Sequence, residues 1–223
     1  MNELTLVRNN LHSVYLKPLA IAAFTFMVFA SNVTALELER GSMLASSGLL
    51  LYKTLPRSEA IDQHATLKAS SALIVEGALD PHATLEIGLF PIKKDFFGKE
   101  VGDQWILYSA YKMHIETLYR YYIWSNLSVA TGLATSYSMG DPDIVGHSAD
   151  YGHHEIESED VSREAIYSLS TSIQWKVLEQ ENWLGFFDIR FNHDWINGTE
   201  KQWGHGSIFL GAKYKIEKVG QKL

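Results

Sequence analysis

Three features of the sequence predict an all-β chain that closes into an eight-stranded, antiparallel, up-and-down transmembrane β-barrel. Period-2 alternation recurs along most of the chain, helical periodicity is nearly absent, and the connectors alternate between short and long. Alternation of this kind gives a strand two chemically different faces. A chain that crosses a bilayer on strands has to close on itself, because an open sheet edge leaves backbone groups unsatisfied in hydrocarbon.

The first 35 residues read as a signal peptide. Arg8 and Lys17 precede an apolar run over residues 19–30, and Val33-Thr34-Ala35 supplies a small-residue cleavage site. A membrane-spanning helix needs about 20 apolar residues, and Ser31 and Asn32 end this run well short of that. The expected division is therefore a signal peptide over residues 1–35 and an outer-membrane barrel domain over residues 36–223.

Composition narrows the function. With no Cys, neither a disulfide scaffold nor a CxxC zinc module is available. The 26 acids outnumber the 19 bases, and Lys and Arg form no run. That excludes the basic face a nucleic-acid partner would require.

The strands follow in order. The least regular lies around residues 43–53, and two more, over 66–78 and 83–92, flank the Asp80-Pro81 turn. A long one spans 105–123, with Trp105, Leu107, Tyr111, Met113, Ile115, Tyr119, Tyr121 and Ile123 on one face. Its other face carries Lys112, His114, Glu116 and Arg120. Residues 127–139 set Leu127, Val129, Leu133, Tyr137 and Met139 against small residues such as Ser128, Ala130, Gly132, Ala134 and Ser136. Over 165–177, Tyr167, Leu169, Ile173, Trp175 and Val177 oppose Ser168, Ser170, Ser172, Gln174 and Lys176. Over 186–195, Phe187, Ile189, Phe191 and Trp195 oppose Asp188, Arg190, Asn192 and Asp194. The last strand, 207–216, opposes Ile208, Leu210, Ala212, Tyr214 and Ile216 to Ser207, Gly211, Lys213 and Lys215, with Phe209 as the exception.

Short connectors fall at 79–82, 124–126 and 178–182, and long ones at 54–65, 93–104, 140–164 and 196–206. Brief turns on the periplasmic side and longer loops outside are the pattern of outer-membrane barrels. An even strand number puts both ends of the barrel domain in the periplasm.

Alternation does not say which face points outward, since a soluble, lipocalin-like ligand-binding barrel shows the same period with its apolar face inside. Two observations favour lipid outside. The polar face is rich in Ser, Ala and Gly, which suit an interior just wide enough for side chains. The apolar face carries Trp105, Tyr119, Tyr121, Tyr137, Trp175, Trp183 and Trp195 near strand ends, as interfacial girdles require. On this reading Lys68, Glu76, Glu86, Lys112, His114, Glu116, Arg120, Lys176, Asp188, Arg190, Asp194, Lys213 and Lys215 enter the lumen. Desolvated charges of both signs need partners, so a plug of ion pairs is expected rather than an open pore.

Together these features resemble the small outer-membrane barrels of the OmpA and OmpX type over all of residues 36–223. The resemblance is one of architecture and implies assembly by the barrel-assembly machinery, outer-membrane lipid and lipopolysaccharide as surroundings, and a monomer. One departure is the end of the chain: that group finishes on an aromatic residue, whereas here Glu217-Lys218-Val219-Gly220-Gln221-Lys222-Leu223 follows the last strand.

A local stretch, Arg190-Phe191-Asn192-His193-Asp194-Trp195-Ile196-Asn197-Gly198, resembles the His-x-Ser-Asn region of the lipid A 3-O-deacylase barrels. Trp195 stands where that family has its serine, and acyl transfer needs a hydroxyl within reach of the histidine base. His193 falls on the apolar face and is read as interfacial.

The 140–164 connector holds Asp141, Asp143, His147, Asp150, His153, His154, Glu155, Glu157, Glu159 and Asp160. Such groups suit Zn²⁺ or Ca²⁺, but their spacing fits no fixed template and acidic runs are usually solvated. The residues thus point to a non-enzymatic barrel without cofactor, metal or catalytic residues. Its central feature is the lumen cluster of Lys112, His114, Glu116, Arg120, Asp188, Arg190, Asp194 and Lys213. A lipid A-modifying acyl hydrolase, a soluble ligand-binding barrel and a small porin-like pore are the competing expectations.

Overall fold

A computed structural model describes residues 38–56, 66–99, 105–148, 165–194 and 202–216. The chain divides into two units, Met1–Ala35 and Leu36–Leu223. Every described residue belongs to the second, and the expected signal peptide lies outside the described residues.

Nine strands form. They are β1 (Met43–Pro56), β2 (Lys68–Asp80), β3 (Ala83–Lys99), β4 (Trp105–Trp124), β5 (Leu127–Ser138), β6 (Asp143–His147), β7 (Ile166–Gln180), β8 (Trp183–Asp194) and β9 (Gln202–Ile216). Eight of them make the barrel. The hydrogen-bonded order runs β3-β2-β1-β9-β8-β7-β5-β4, and pairing of β3 with β4 closes the ring. Every neighbouring pair is antiparallel. At the first tight turn the Asp80 carboxylate accepts a hydrogen bond from the His82 N–H at 2.7 Å, which fixes the reversal between β2 and β3.

All four long connectors are shorter than the sequence suggested: β1 runs on to Pro56 and β9 begins at Gln202, and two further cases bear on the site. The polar stretch Lys93-Lys94-Asp95 reads as the start of a loop, yet β3 continues through it to Lys99, paired with β4 as far as Lys99↔Trp105. The reason is that every second side chain keeps facing inward: Ile92, Lys94 and Phe96 are all buried on the inner face, and Asp95 between them is buried by its contacts at the rim. The second case is the 140–164 connector. After an interruption that includes Gly140 at φ +80°, residues 143–147 resume pairing with β4 from Ser109↔Asp143 to Ile106↔His147. β6 thus carries the line of β5 upward past Lys112↔Ser138, and β3, β4 and β6 rise together on the external side.

The faces sort as a lipid-embedded barrel requires. Leu85, Ile87, Tyr119, Tyr121, Leu133, Tyr137, Ile173, Trp183, Ile189 and Leu210 are exposed on the outside. This belt meets lipid, because a contiguous apolar surface of that extent is not stable against water. Trp175 and Trp105 are half-buried, and Trp195 lies outside the described residues. Leu107, expected on the outer face, is buried where β6 pairs alongside β4. No helix among the described residues is long and apolar enough to cross a membrane.

Inside, the barrel is not uniformly polar. Phe209 points inward and packs edge-on against Phe186, with ring centroids 5.2 Å apart. An apolar cluster that includes Leu50, Tyr52, Ile74, Phe90 and Ile92 lines one flank of the lumen.

Candidate functional site

The lumen places its ionic side chains in layers because alternate residues of every strand face inward. Moving two residues along a strand moves one layer up or down, so neighbouring strands deliver their charges at matching heights. Among the residues expected in the lumen cluster, all eight are buried: Lys112, His114, Glu116, Arg120, Asp188, Arg190, Asp194 and Lys213. Glu76, Glu86 and Lys176 are buried as well, while Lys68 and Lys215 are half-buried.

The lowest layer, toward the periplasm, is built on Glu76 of β2. Its carboxylate is paired with Lys213 of β9 and accepts hydrogen bonds from the Tyr122 hydroxyl at 2.9 Å and the Thr84 hydroxyl at 3.0 Å. Beside it is a cavity of about 20 Å³ lined by Tyr122, Gln174, Lys176, Phe186 and Lys213. That volume holds about one water.

Two guanidinium groups dominate the middle. Arg120 donates from Nε to Glu86 at 2.8 Å, from Nη1 to Ser128 at 3.0 Å, and from Nη2 to Ser172 at 2.9 Å and Asp188 at 3.2 Å. Arg190 meets Glu86 at 2.7 Å, Asp188 at 2.8 Å and Glu116 at 2.5 Å, with its guanidinium 5.2 Å from the centre of the Phe90 ring. Two cations are thus shared among three carboxylates. Asp188 also accepts from Ser172 at 2.6 Å and Gln174 at 3.1 Å. Burying a charge costs several kcal/mol unless geometry and hydrogen bonding are nearly complete. The planar donor fork of Arg meets that demand better than the point charge of Lys.

Above this layer lie the imidazoles. His114 contacts the Ser136 hydroxyl through Nδ1 at 2.7 Å and Glu116 through Nε2 at 3.0 Å. Its ring meets His205 edge-on, with centroids 4.7 Å apart, and His205 Nε2 lies 3.1 Å from the Asn192 amide. Glu116 further accepts from Ser170 at 3.1 Å and Asn192 at 3.0 Å. Higher still, Lys94 is paired with Asp194 at 2.9 Å, and the Ser168 hydroxyl donates to the same carboxylate at 2.6 Å. Lys112 lies with its Nζ 4.8 Å from the centre of the Phe96 ring. At the rim Asp95 gathers Lys68 and Ser109.

Ser136, His114 and Glu116 therefore line up as hydroxyl, imidazole and carboxylate, the composition of a nucleophile relay. Each is 1% exposed or less, and the carboxylate already serves Arg190, Asn192 and Ser170. A relay that performs acyl transfer needs its hydroxyl open to substrate and its acid committed to the base.

Several members of these layers escaped the sequence reading. Lys94 and His205 fall in stretches read as loops, and extending period 2 beyond Ile92, or back from Ser207, would have placed both inside. Tyr122 gave no signal of its own. Asn192 was seen on the polar face but not as part of the cluster. His193 faces outward, paired with Leu169, whereas its neighbour Trp195 lies outside the described residues. Of the acidic connector, Asp143 is bonded to Lys93 and His147 to the Ser148 carbonyl at 2.9 Å, while residues 149–164 lie outside the described residues. Among the described residues no group of three His, Asp or Glu side chains is arranged to hold a metal ion.

No protein-family model matches the chain, and no curated protein matches it in sequence. Solved structures do match in fold. The outer-membrane protein OprG of Pseudomonas aeruginosa aligns with a TM-score of 0.53 at 10% identity, covering 83% of this chain and all of that one. Ail, the attachment invasion locus protein of Yersinia pestis, aligns at 0.44 with 11% identity over 80% of this chain and 100% of its own. The N-terminal β-barrel domain of Pseudomonas aeruginosa OprF aligns at 0.42 with 10% identity over 79% and 98%. The likeness to OprG is one of fold: the chain is a closed eight-stranded barrel of the outer-membrane kind, and its apolar belt is the surface such a barrel turns to lipid.

Proposed function

We propose that this chain, exported by means of residues 1–35, is a monomeric, non-enzymatic outer-membrane barrel. Its lumen is sealed along the axis, and its raised external ends serve envelope integrity or surface interaction. Assembly machinery inserts it, and outer-membrane lipid and lipopolysaccharide surround it. One observation carries the reading: Arg120 and Arg190, both buried, join Glu86, Glu116 and Asp188 from three strands across the middle of the barrel. An eight-stranded barrel has room for side chains and little else, so a cross-linked layer of this kind leaves no axial water path.

Planar-bilayer recording tests the seal. The purified barrel is expected to give essentially no stable conductance, and a reproducible open level would sink the proposal. The line of Ser136, His114 and Glu116 has the composition, though not the exposure, of a second reading, an acyl hydrolase acting on lipid A. Mass spectrometry of lipid A from cells with and without the gene separates the two. An unchanged acyl pattern supports the structural role, and an acyl chain lost only when the gene is present supports the enzyme.

A further inference from the structure

Three short turns face the periplasm among the described residues, and they differ in what they present. At the β2–β3 turn the Asp80 carboxylate is committed to the His82 N–H at 2.7 Å, and the β4–β5 turn, Ser125-Asn126, carries no acid. The β7–β8 turn is Glu181-Asn182, with both side chains exposed. Glu179, just before it, is paired with Lys176 at 2.8 Å. Glu181 pairs with no cation among the described residues.

This turn does not hang free. Its Asn182 carbonyl accepts a hydrogen bond from the Lys215 N–H at 2.9 Å, which holds it against the end of β9. The register pair Trp183↔Tyr214 beside it sets two outward-facing aromatic rings together, with centroids 4.8 Å apart and planes inclined at 52°. Trp183 is 54% exposed and Tyr214 39%. Gln180, Glu181, Asn182, Trp183 and Tyr214 line a cleft of about 550 Å³. Small-ligand sites are commonly clefts of about 300–1,000 Å³ that combine aromatic surface with a few polar groups fixing orientation.

The lining selects a zwitterion. Aromatic faces attract an ammonium through the ring quadrupole, and an unpaired carboxylate beside them supplies the countercharge and a charge-assisted hydrogen bond. The carboxamides of Gln180 and Asn182 carry N–H donors suited to a neighbouring anionic oxygen. Height in the membrane decides where such a group comes from. Trp and Tyr at strand ends lie level with the lipid headgroups, and the turn reaches just beyond them.

We propose that this cleft binds the headgroup of an amine-bearing, zwitterionic phospholipid of the periplasmic leaflet. Its ammonium lies against the Trp183 and Tyr214 rings and the Glu181 carboxylate, and its phosphate meets the amides of Gln180 and Asn182. The acyl chains stay outside the wall, over the exposed Leu210 and Ile189. The site rests on the lipid-facing belt alone and is independent of the seal in the lumen, so bilayer conductance does not report on it.

Native mass spectrometry of the full barrel in mild detergent provides the test. The protein is titrated with phosphatidylethanolamine and with phosphatidylglycerol of the same acyl chains, and retained lipid is counted. Wild type should retain the ethanolamine lipid several-fold more strongly. Glu181→Gln and Trp183→Leu should each bring the two lipids to near parity, whereas Glu179→Gln, which removes the acid already held by Lys176, should leave the preference intact. Gel mobility before and after boiling checks that each variant is folded, and Glu181→Gln, at an exposed turn, keeps the test decisive if Trp183→Leu does not fold. Equal retention of the two lipids by wild type would overturn the proposal. So would a preference that Glu181→Gln leaves unchanged, or one that Glu179→Gln abolishes equally. A barrel that retains neither lipid would overturn the lipid-facing belt as well.

Discussion

Arg190 shows what a single residue does in this lumen. Its guanidinium faces Glu86, Glu116 and Asp188 at once, so removing it leaves Glu86 and Asp188 to Arg120 alone and takes from Glu116 its guanidinium partner. Breaking a buried ion pair from one side costs about 3–5 kcal/mol, because the remaining charge is left desolvated without a partner. Arg190→Met is expected to destabilise the barrel by about that much, read as a lower urea midpoint in lipid vesicles; a midpoint within error of wild type would refute it. Phe209 makes the apolar counterpart. It is fully buried against Phe186, and Phe209→Ala should cost about 3–5 kcal/mol in the same assay. The charged residue was legible in the sequence and the aromatic one was not. Asp188, Arg190, Asn192 and Asp194 sit on one parity, and no apolar surface accepts such a row. Phe209 broke the pattern of its strand only under the assumption that apolar means outward. A barrel this narrow also needs bulk inside, and Phe209 supplies it.

At the scale of the strand, position along the membrane normal decides the cost of a substitution. Ile189 is outward-facing in the middle of β8, whereas Tyr121 is outward-facing near the periplasmic end of β4. Arginine on the lipid face costs about 2–4 kcal/mol at the midplane and about 0–1 near the interface, where its long side chain reaches water. Ile189→Arg should therefore destabilise the folded barrel far more than Tyr121→Arg; equal costs in equilibrium unfolding would mean that this belt is not embedded as drawn. The same alternation that reveals the belt fails at the strand tops. The sequence ends β3 at Ile92, since Lys93-Lys94-Asp95 reads as a solvated turn, yet Lys94 and Asp95 are buried and bonded to Asp194, Lys68 and Thr54. β6 hides in the same way behind Asp141-Pro142-Asp143. Composition signals solvent, but above the bilayer a strand needs no apolar face to remain a strand. Register against β4 holds it there.

For the whole molecule, the ionic layers raise the question of what they contribute, since well-packed apolar side chains would fill the same space at equal or lower free energy. Their bulk and their cross-links are separable. Replacing Arg120 and Arg190 by Met while converting Glu86, Glu116 and Asp188 to Gln, Gln and Asn removes every charge of the central layer and nearly preserves its volume. That variant should fold, keep a gel mobility shift on boiling and still conduct nothing. Replacing Arg120 and Arg190 by Ala in the same neutral background keeps the layer free of stranded charge but empties it of two of the largest buried side chains in the barrel. Water then has room to thread between the Glu76 layer below and the His114 layer above, and a measurable conductance should appear. The comparison between the two neutral variants reads volume alone. If the Met-filled barrel also conducts, the ion pairs themselves hold the wall shut, and charge rather than packing keeps the axis dry.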